Sequence, residues 1–146
     1  MAVSSTAACP LPRTEAERLA RAVLRAEGIA DAVVSVAFVG RSRIRTLNRR
    51  YFGRDRATDV IALTMTAGTA ARRHGGPVVG DVYVCAPVGV GQARRFGATP
   101  RAELRRLVVH GVLHVLGHDH PEGAGRVASP MWRRQEHLLA RLGRAR

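Results

Sequence analysis

The sequence predicts an α+β fold, an α/β sandwich in which a small mixed sheet of about four strands packs with about five helices. Short runs rich in β-branched residues alternate with longer segments that have helical periodicity. The chain has 146 residues, of which 46% are hydrophobic, which suits one globular domain spanning residues 1–146. The sequence contains no internal repeat and no linker-like segment.

The first half of the chain is predicted to alternate strands and helices. An edge strand is expected near residues 2–7, followed by a helix over residues 14–27. Thr14 and Glu17 have the spacing of a capping box, and Gly28 is the predicted stop of that helix. The other elements predicted in this half are a strand at residues 32–39, a helix at residues 41–52 that ends before Gly53, and a strand at residues 59–65.

The second half is predicted to be mainly helical after one more strand. A basic loop is expected at residues 66–80, a strand at residues 80–86 and a short helix at residues 88–96. Thr99 and Pro100 form a helix start, as an N-cap and a first helical residue, and that long central helix runs to about residue 116. The remaining predictions are a loop at residues 121–127 and a last helix that starts at Ser129-Pro130 and reaches Gly143.

The charge of the chain predicts a polyanionic partner. All 24 basic residues are arginines, they outnumber 11 acidic residues, and the formal net charge is +13. Guanidinium groups match phosphates, so nucleic acid is the expected partner. No apolar run approaches the roughly 18 residues of a membrane span. Because the first residues do not resemble a signal peptide and the two cysteines suggest no disulfide framework, a cytoplasmic location is expected.

A cluster of histidines at the end of the long helix predicts a metal site. His110 and His114 are four residues apart, so in a helix they project from one face. Gly117 can end the helix and reverse the chain, which would bring either His118 or His120 beside them. Three imidazoles leave one position of a tetrahedral zinc open for water, as in catalytic rather than structural sites.

The spacing of His110, His114, Gly117 and His120 matches the metal-binding part of the metzincin protease motif and selects His120 as the third ligand. Those proteases carry a glutamate directly after the first histidine, as the general base, but here that position is Gly111. A peptidase is therefore disfavoured. A glycine within a helix also costs stability, which suggests that something approaches the backbone closely at Gly111.

Three sequence blocks together resemble one family. The segment HGVLHVLGHDH at residues 110–120 resembles the H-G-x-L-H-L-x-G-Y-D-H signature of the YbeY family, bacterial endoribonucleases of ribosomal RNA maturation. The segment LNRRYFGRDRATDVI at residues 47–61 resembles the family's L-N-x-x-Y-R-x-x-D-x-P-T-D-V-L segment, and GDVYVC at residues 80–85 resembles its G-D-[ILV]-x-[IL]-[CS] strand. The blocks have the family order, and the resemblance spans about residues 30–142.

The resemblance implies a zinc metalloprotein with one ion per chain, held by His110, His114 and His120. It implies single-strand-specific, metal-dependent RNA hydrolysis in 16S rRNA 3′-end maturation and ribosome quality control. It also implies that 16S precursor rRNA and the small ribosomal subunit are the partners. No membrane partner and no small-molecule organic cofactor are expected.

The chain departs from the family pattern at three positions: Phe52 replaces an arginine, Ala57 a proline and His118 a tyrosine. With that arginine absent, Arg54 is the expected catalytic guanidinium, and Arg50 is its alternative. His118 is expected as a proton carrier. Asp119 is expected either to orient a ligating histidine or to serve only as a turn residue. The expected substrate-binding residues are Asn48, Arg50, Thr58, Asp59, Arg72 and Arg73, although Asn48, Thr58 and Asp59 also suit ordinary turn and capping roles.

Two other functions stay open at this point. One is a zinc-stabilised ribosome-assembly or RNA-binding factor without cleavage activity. In such a protein a mutation of a metal ligand would impair folding, but there would be no catalytic turnover for it to abolish. The other is a metallohydrolase of another substrate class. Binding that hardly depends on salt would favour the second, because binding to a nucleic acid weakens steeply as salt rises.

Overall fold

The computed structural model describes residues 1–5, 9–65 and 77–144. The strands are β1 (Ala2–Ser5), β2 (Ala32–Val39), β3 (Val60–Thr64) and β4 (Val78–Cys85). The helices are α1 (Arg13–Ala26), α2 (Arg41–Phe52), α3 (Ala86–Phe96), α4 (Pro100–Val115) and α5 (Pro130–Arg144). A 3-10 helix, Gly123–Ala128, lies between α4 and α5. The α+β class, with one four-stranded sheet and five α-helices in the described part of the chain, is confirmed.

The sheet is mixed and has the strand order β1-β2-β4-β3. β1 pairs with β2 and β2 with β4 in parallel, whereas β3 pairs with β4 in antiparallel. β1 is therefore the edge strand that the sequence predicted near residues 2–7. The two central strands, β2 and β4, pair along their whole length from Ala32 opposite Val78 to Val39 opposite Cys85.

The sheet separates two apolar clusters, because successive side chains of a strand point to opposite faces. On one face Val36, Phe38 and Val82 are fully buried against α1, α4 and α5. On the other face Ile44 of α2 packs with a smaller cluster that includes Val39, Leu47, Ile61 and Cys85. A helix therefore covers each face, which is the sandwich arrangement.

Helix α4 lies at the centre of the larger cluster, and its second half is buried on most sides, because residues 107–115 are apolar apart from His110, Gly111 and His114. Its start follows the prediction: Pro100 is its first residue, and Oγ1 of Thr99 accepts a hydrogen bond from the backbone nitrogen of Ala102 at 3.1 Å. The helix packs against α1, α3, α5, β3 and β4. It therefore holds its last two turns, which carry His110 and His114, over strands β3 and β4.

Gly111 is the residue that lets α4 approach the sheet. A Cβ atom at this position would overlap Cγ1 of Val82 on β4 and would lie 3.2 Å from Cγ2 of Val60 on β3. The predicted close approach to the Gly111 backbone is confirmed, and the approaching group is the sheet itself.

The start of α1 differs from the prediction. The helix begins at Arg13 after Pro12, whose extended backbone (φ −60°, ψ 142°) makes it the N-cap, and no side chain caps this end. The capping box of Thr14 and Glu17 was wrong, because Thr14 already lies inside the first turn. Glu17 instead pairs with Arg21 one turn later, at 3.1 Å.

Four other elements also differ from their predicted bounds. β4 begins at Val78, two residues before the predicted start, because pairing with β2 continues to Ala32. α3 begins at Ala86, directly after β4, rather than at Val88. The predicted loop at residues 121–127 contains the 3-10 helix, which starts at Gly123 with φ 77° and is closed by a 3.2 Å hydrogen bond from the backbone nitrogen of Ser129 to the carbonyl of Arg126. The last helix extends through Arg144.

None of the helices in the described ranges is long and apolar enough to cross a membrane.

Candidate metal centre

The end of α4 and the turn after it bring three histidines together. His110 and His114 come from the last two turns of α4. Gly117 has a φ of 97°, and hydrogen bonds from the backbone nitrogens of Gly117 and His118 to the carbonyls of His114 and Leu113, each 3.0 Å, close the turn. Because only glycine adopts such a φ without strain, Gly117 reverses the chain as predicted.

The Nε2 atoms of the three rings converge on one point. Nε2 of His120 lies 3.2 Å from Nε2 of His110 and 3.2 Å from Nε2 of His114. Nitrogens that each lie about 2.0–2.1 Å from a tetrahedral zinc stand about 3.3 Å apart, so the observed spacing fits one such ion. The group His110, His114 and His120 could therefore hold a metal ion.

The other nitrogen of each ring faces an oxygen. Nδ1 of His110 lies 2.6 Å from Oε1 of Gln135. Nδ1 of His114 lies 3.0 Å from the carbonyl oxygen of His118, and Nδ1 of His120 lies 3.0 Å from the carbonyl oxygen of Pro121. Carbonyl and amide oxygens only accept, so each Nδ1 carries the proton and donates it. The Nε2 lone pairs then face one another. Three lone pairs at this distance repel unless a cation lies between them, which is the arrangement of oriented metal-ligating histidines.

Gln135 contacts the candidate metal centre, and the sequence analysis did not predict it. Its side chain is fully buried in α5, and its amide nitrogen donates to Oε2 of Glu136 at 3.1 Å, which fixes the orientation that presents Oε1 to His110. The pattern contained a signal for it, because Gln135 lies at helical spacing between two buried apolar residues, Met131 and Leu138. A glutamine on the buried stripe of a helix needs a polar partner, but the sequence does not say which one.

Burial favours the neutral form of His110 and His114. Desolvation, together with the charges of His114, Arg126 and His120, lowers the pKa of His110 to about 4, and the hydrogen bond to Gln135 partly opposes this shift. Desolvation and the neighbouring His120 also lower the pKa of His114. Neutral imidazoles are the form that binds a metal ion.

A cleft of about 330 Å³ opens over the three rings, and we call it the metal cleft. Its walls include Arg54, Thr58, Asp59, Glu122 and Arg126. Nη2 of Arg54 lies 3.3 Å from Oε1 of Glu122, so these two side chains form an exposed ion pair at the rim. The cleft combines a candidate metal centre with guanidinium groups, which suits a phosphate-containing substrate.

The sequence model of the family described as Endoribonuclease YbeY matches residues 4–143 of this chain. The chain belongs to the YbeY family.

Individual YbeY relatives agree with that assignment. Endoribonuclease YbeY of Anaeromyxobacter sp. (strain Fw109-5) is 40% identical over 146 residues, covering 97% of this chain and 71% of its own length. Endoribonuclease YbeY of Moorella thermoacetica is 39% identical over 132 residues, covering 86% of this chain and 83% of its own. A solution structure of a Thermotoga maritima protein superposes with a TM-score of 0.60 at 26% identity, covering 95% of this chain and 87% of that chain.

Several residues expected at the site of this YbeY chain do lie at the metal cleft. Arg54 and Thr58 line it. Asp59 also lines it, but both of its carboxylate oxygens are engaged, Oδ1 by the backbone nitrogen of Val60 at 2.8 Å and Oδ2 by Nε2 of Gln92 at 3.2 Å. Asn48 lies in an adjoining groove with His114, and its amide donates to the carbonyl of Arg56 at 3.0 Å. Asn48 and Asp59 therefore also shape the loop that precedes β3.

Other expected residues are not brought to the cleft. Nε2 of His118 lies 3.5 Å from Oε1 of Glu27, so the structure places His120 rather than His118 beside His110 and His114. The carboxylate of Asp119 accepts a 2.8 Å hydrogen bond from the backbone nitrogen of His120, which is the turn role rather than contact with a ligating ring. The guanidinium of Arg50 lies over the ring of Tyr51, 5.4 Å from its centroid. Arg72 and Arg73 lie outside the described residues.

We expect Gln135→Leu to weaken zinc binding about 10- to 100-fold, because losing the acceptor for Nδ1 frees the ring of His110 from its orientation. Gln135→Glu is the comparison variant: it keeps an acceptor oxygen for Nδ1 and should retain zinc binding, although its carboxylate faces Glu136 where the amide donated. The measurement is a zinc titration against a competing chelator, with thermal melting of both variants alongside. Equal zinc affinity in Gln135→Leu and the parent chain would contradict the idea that Gln135 orients the ring of His110.

Proposed function

We propose that this YbeY chain is a single-strand-specific endoribonuclease that acts, with one zinc ion at the histidine centre, in 16S rRNA 3′-end maturation and ribosome quality control. The observation that carries the proposal is the convergence of three Nε2 atoms, each on a ring whose Nδ1 is held by an oxygen, at the floor of a cleft with arginines in its walls. Relatives named Endoribonuclease YbeY support RNA as the substrate. The proposed partners are 16S precursor rRNA and the small ribosomal subunit, and the proposed location is the cytoplasm.

The composition of the cleft supports phosphodiester rather than peptide hydrolysis. Gly111 occupies the position of the metalloprotease general base, and its Cβ position is filled by the sheet, so no carboxylate can be placed there. The net charge of +13 attracts a polymeric anion over a long range.

The proposed mechanism assigns a role to each group at the cleft. Zinc would supply Lewis acidity and an activated water. His110, His114 and His120 would hold the ion, and the oxygens that accept from their Nδ1 atoms keep the rings in place. Arginine side chains of the cleft neutralise the charge that develops on the phosphate oxygens. Asp59 already accepts hydrogen bonds on both oxygens, so Glu122 is the cleft carboxylate proposed to accept the proton from water.

Cleavage of defined RNAs tests this function. We expect the zinc-loaded protein to cut a single-stranded RNA that contains the 16S 3′-end precursor and to leave the same strand uncut when it is annealed to a complement. Binding should weaken steeply with salt, with a log–log slope of about −0.7 per phosphate contacted. Zinc-loaded protein that binds this RNA but never cuts it would instead favour the non-cleaving assembly factor. Salt-independent binding would favour a different substrate class.

A further inference from the structure

Arg126 lies where two cavities meet. It belongs to the 3-10 helix Gly123–Ala128 and lines the metal cleft. It also lines a larger cavity of about 510 Å³, which we call the side cavity. The two cavities share Asp59, His110 and Arg126 as walls. Arg126 therefore borders both cavities, and a ligand that spans them would lie beside its side chain.

The guanidinium of Arg126 has a hydrogen-bond donor that no described residue accepts. In the part of the chain that the structure describes, its Nε is buried and has no hydrogen-bond acceptor. Two other arginines of these walls already face carboxylates: Arg54 pairs with Glu122 at 3.3 Å, and Arg106 pairs with Glu136 at 3.1 Å. Arg56 lines the metal cleft but not the side cavity. A buried donor without an acceptor costs free energy, and an anionic or polar ligand at this position would supply the missing acceptor.

The position of Arg126 is held from two sides. Its guanidinium lies over the ring of Trp132, 5.7 Å from the ring centroid. Its carbonyl accepts a 2.7 Å hydrogen bond from the hydroxyl of Ser129, which caps the start of α5. Its charge also reaches the histidines, since it lowers the pKa of both His110 and His114. The side chain is thus oriented before any ligand binds, close to the candidate metal centre.

The side cavity has the chemistry of a nucleobase site. Phe96, Leu107, Val127 and Trp132 give it apolar and aromatic walls, and Gln92 places an amide among them. Its volume lies within the range of about 300–1,000 Å³ that is usual for small-molecule sites. Unstacked bases of single-stranded RNA are bound against aromatic rings and guanidinium planes and hydrogen-bonded along their edges.

We propose that Arg126 binds a backbone phosphate of the RNA at the junction, and that the side cavity takes the base of the adjoining nucleotide. This nucleotide subsite rests on the proposed function, because it would position the RNA that the same metal centre cleaves. The subsite would also favour single strands, because a base must leave its stack to enter the cavity.

The test is a titration of the zinc-loaded protein with uridine 5′-monophosphate, uridine and inorganic phosphate, which contain no internucleotide bond to cut. Trp132 is the single tryptophan of the chain and lines the side cavity, so its fluorescence reports occupancy. We expect a saturable change, with the monophosphate bound at least tenfold more tightly than uridine. Arg126→Gln should bring the affinity for the monophosphate down to that for uridine, and Arg126→Lys should restore part of it. Arg18→Gln, at an exposed arginine of α1, removes the same charge and should change neither affinity.

Other outcomes would overturn the subsite. They are an unchanged monophosphate affinity in Arg126→Gln, an equal loss in Arg18→Gln, or no saturable fluorescence change in a protein whose melting curve is normal. Cleavage of single-stranded RNA is measured on the same samples. If the parent chain binds the nucleotide as expected but cuts no RNA, the proposed function fails while the subsite stands. If Arg126→Gln cuts RNA as fast as the parent chain and binds the monophosphate equally well, the subsite fails while the function stands.

Discussion

Replacing His114 with alanine is expected to abolish stoichiometric zinc binding and to slow RNA cleavage at least about a thousandfold, a loss of about 4 kcal/mol of transition-state stabilisation. The substitution removes one of three converging Nε2 atoms and leaves two imidazoles, too few to hold the ion at low concentration. The fold should survive. His114 is half-buried, and the alanine loses one hydrogen bond, from Nδ1 to the carbonyl of His118, which contributes about 1 kcal/mol. Zinc content, circular dichroism melting and cleavage of single-stranded RNA are measured on the same preparation.

His137→Ala is the matched control for this experiment. His137 is an exposed histidine of α5 outside the metal cluster, so its loss should change neither zinc content nor cleavage. Full zinc content in a folded His114→Ala protein would contradict the assignment of His114 as a ligand. Equal cleavage by His114→Ala and the parent chain would mean that the activity belongs to a contaminating ribonuclease.

Replacing Gly111 with alanine is expected to destabilise the protein by about 2 kcal/mol and to lower its melting temperature by roughly 5–8 °C. Alanine favours a helix over glycine by up to about 1 kcal/mol, but here the steric term outweighs that gain. The new Cβ would overlap Cγ1 of Val82, a fully buried, β-branched side chain that cannot rotate out of the way. Helix α4 must then move off the sheet, and His110 and His114 move with it. Thermal and urea unfolding of the metal-free protein measure the change without a contribution from bound zinc.

Two variants show whether the collision is the cause. Gly91→Ala makes the same substitution inside α3, where a Cβ would meet nothing within 4 Å, and should stabilise the protein by up to about 1 kcal/mol. Val82→Ala removes the colliding methyl groups, so Gly111→Ala in that background should cost much less than in the parent chain. A destabilisation by Gly111→Ala that stays the same in both backgrounds would contradict the steric account.

Much of the fold could be predicted because its signals are local. The boundaries of β2 and α2 follow from a β-branched run and from an apolar pattern that ends before Gly53, which has a φ of 67°. The start of α4 follows from Thr99 and Pro100, whose backbone geometry and hydrogen bond involve only neighbouring residues. The capping box at Thr14 is a local signal that failed, because Pro12 had already started the helix one residue earlier.

By itself the sequence predicted which three histidines would meet, because His110 and His114 have i, i+4 spacing, Gly117 allows a turn, and the motif spacing selects His120 within the same eleven residues. Only the tertiary structure decided what surrounds them. Gln135 reaches His110 from another helix, His118 faces Glu27 of α1, and Arg126 stands at the junction of two cavities. These contacts join residues that lie far apart in the chain, and no local periodicity encodes them. They depend on how closely α4 packs against the sheet and how closely α5 packs against α4. The absence of a side chain at Gly111 permits the first contact, and both contacts form only when the whole chain is folded.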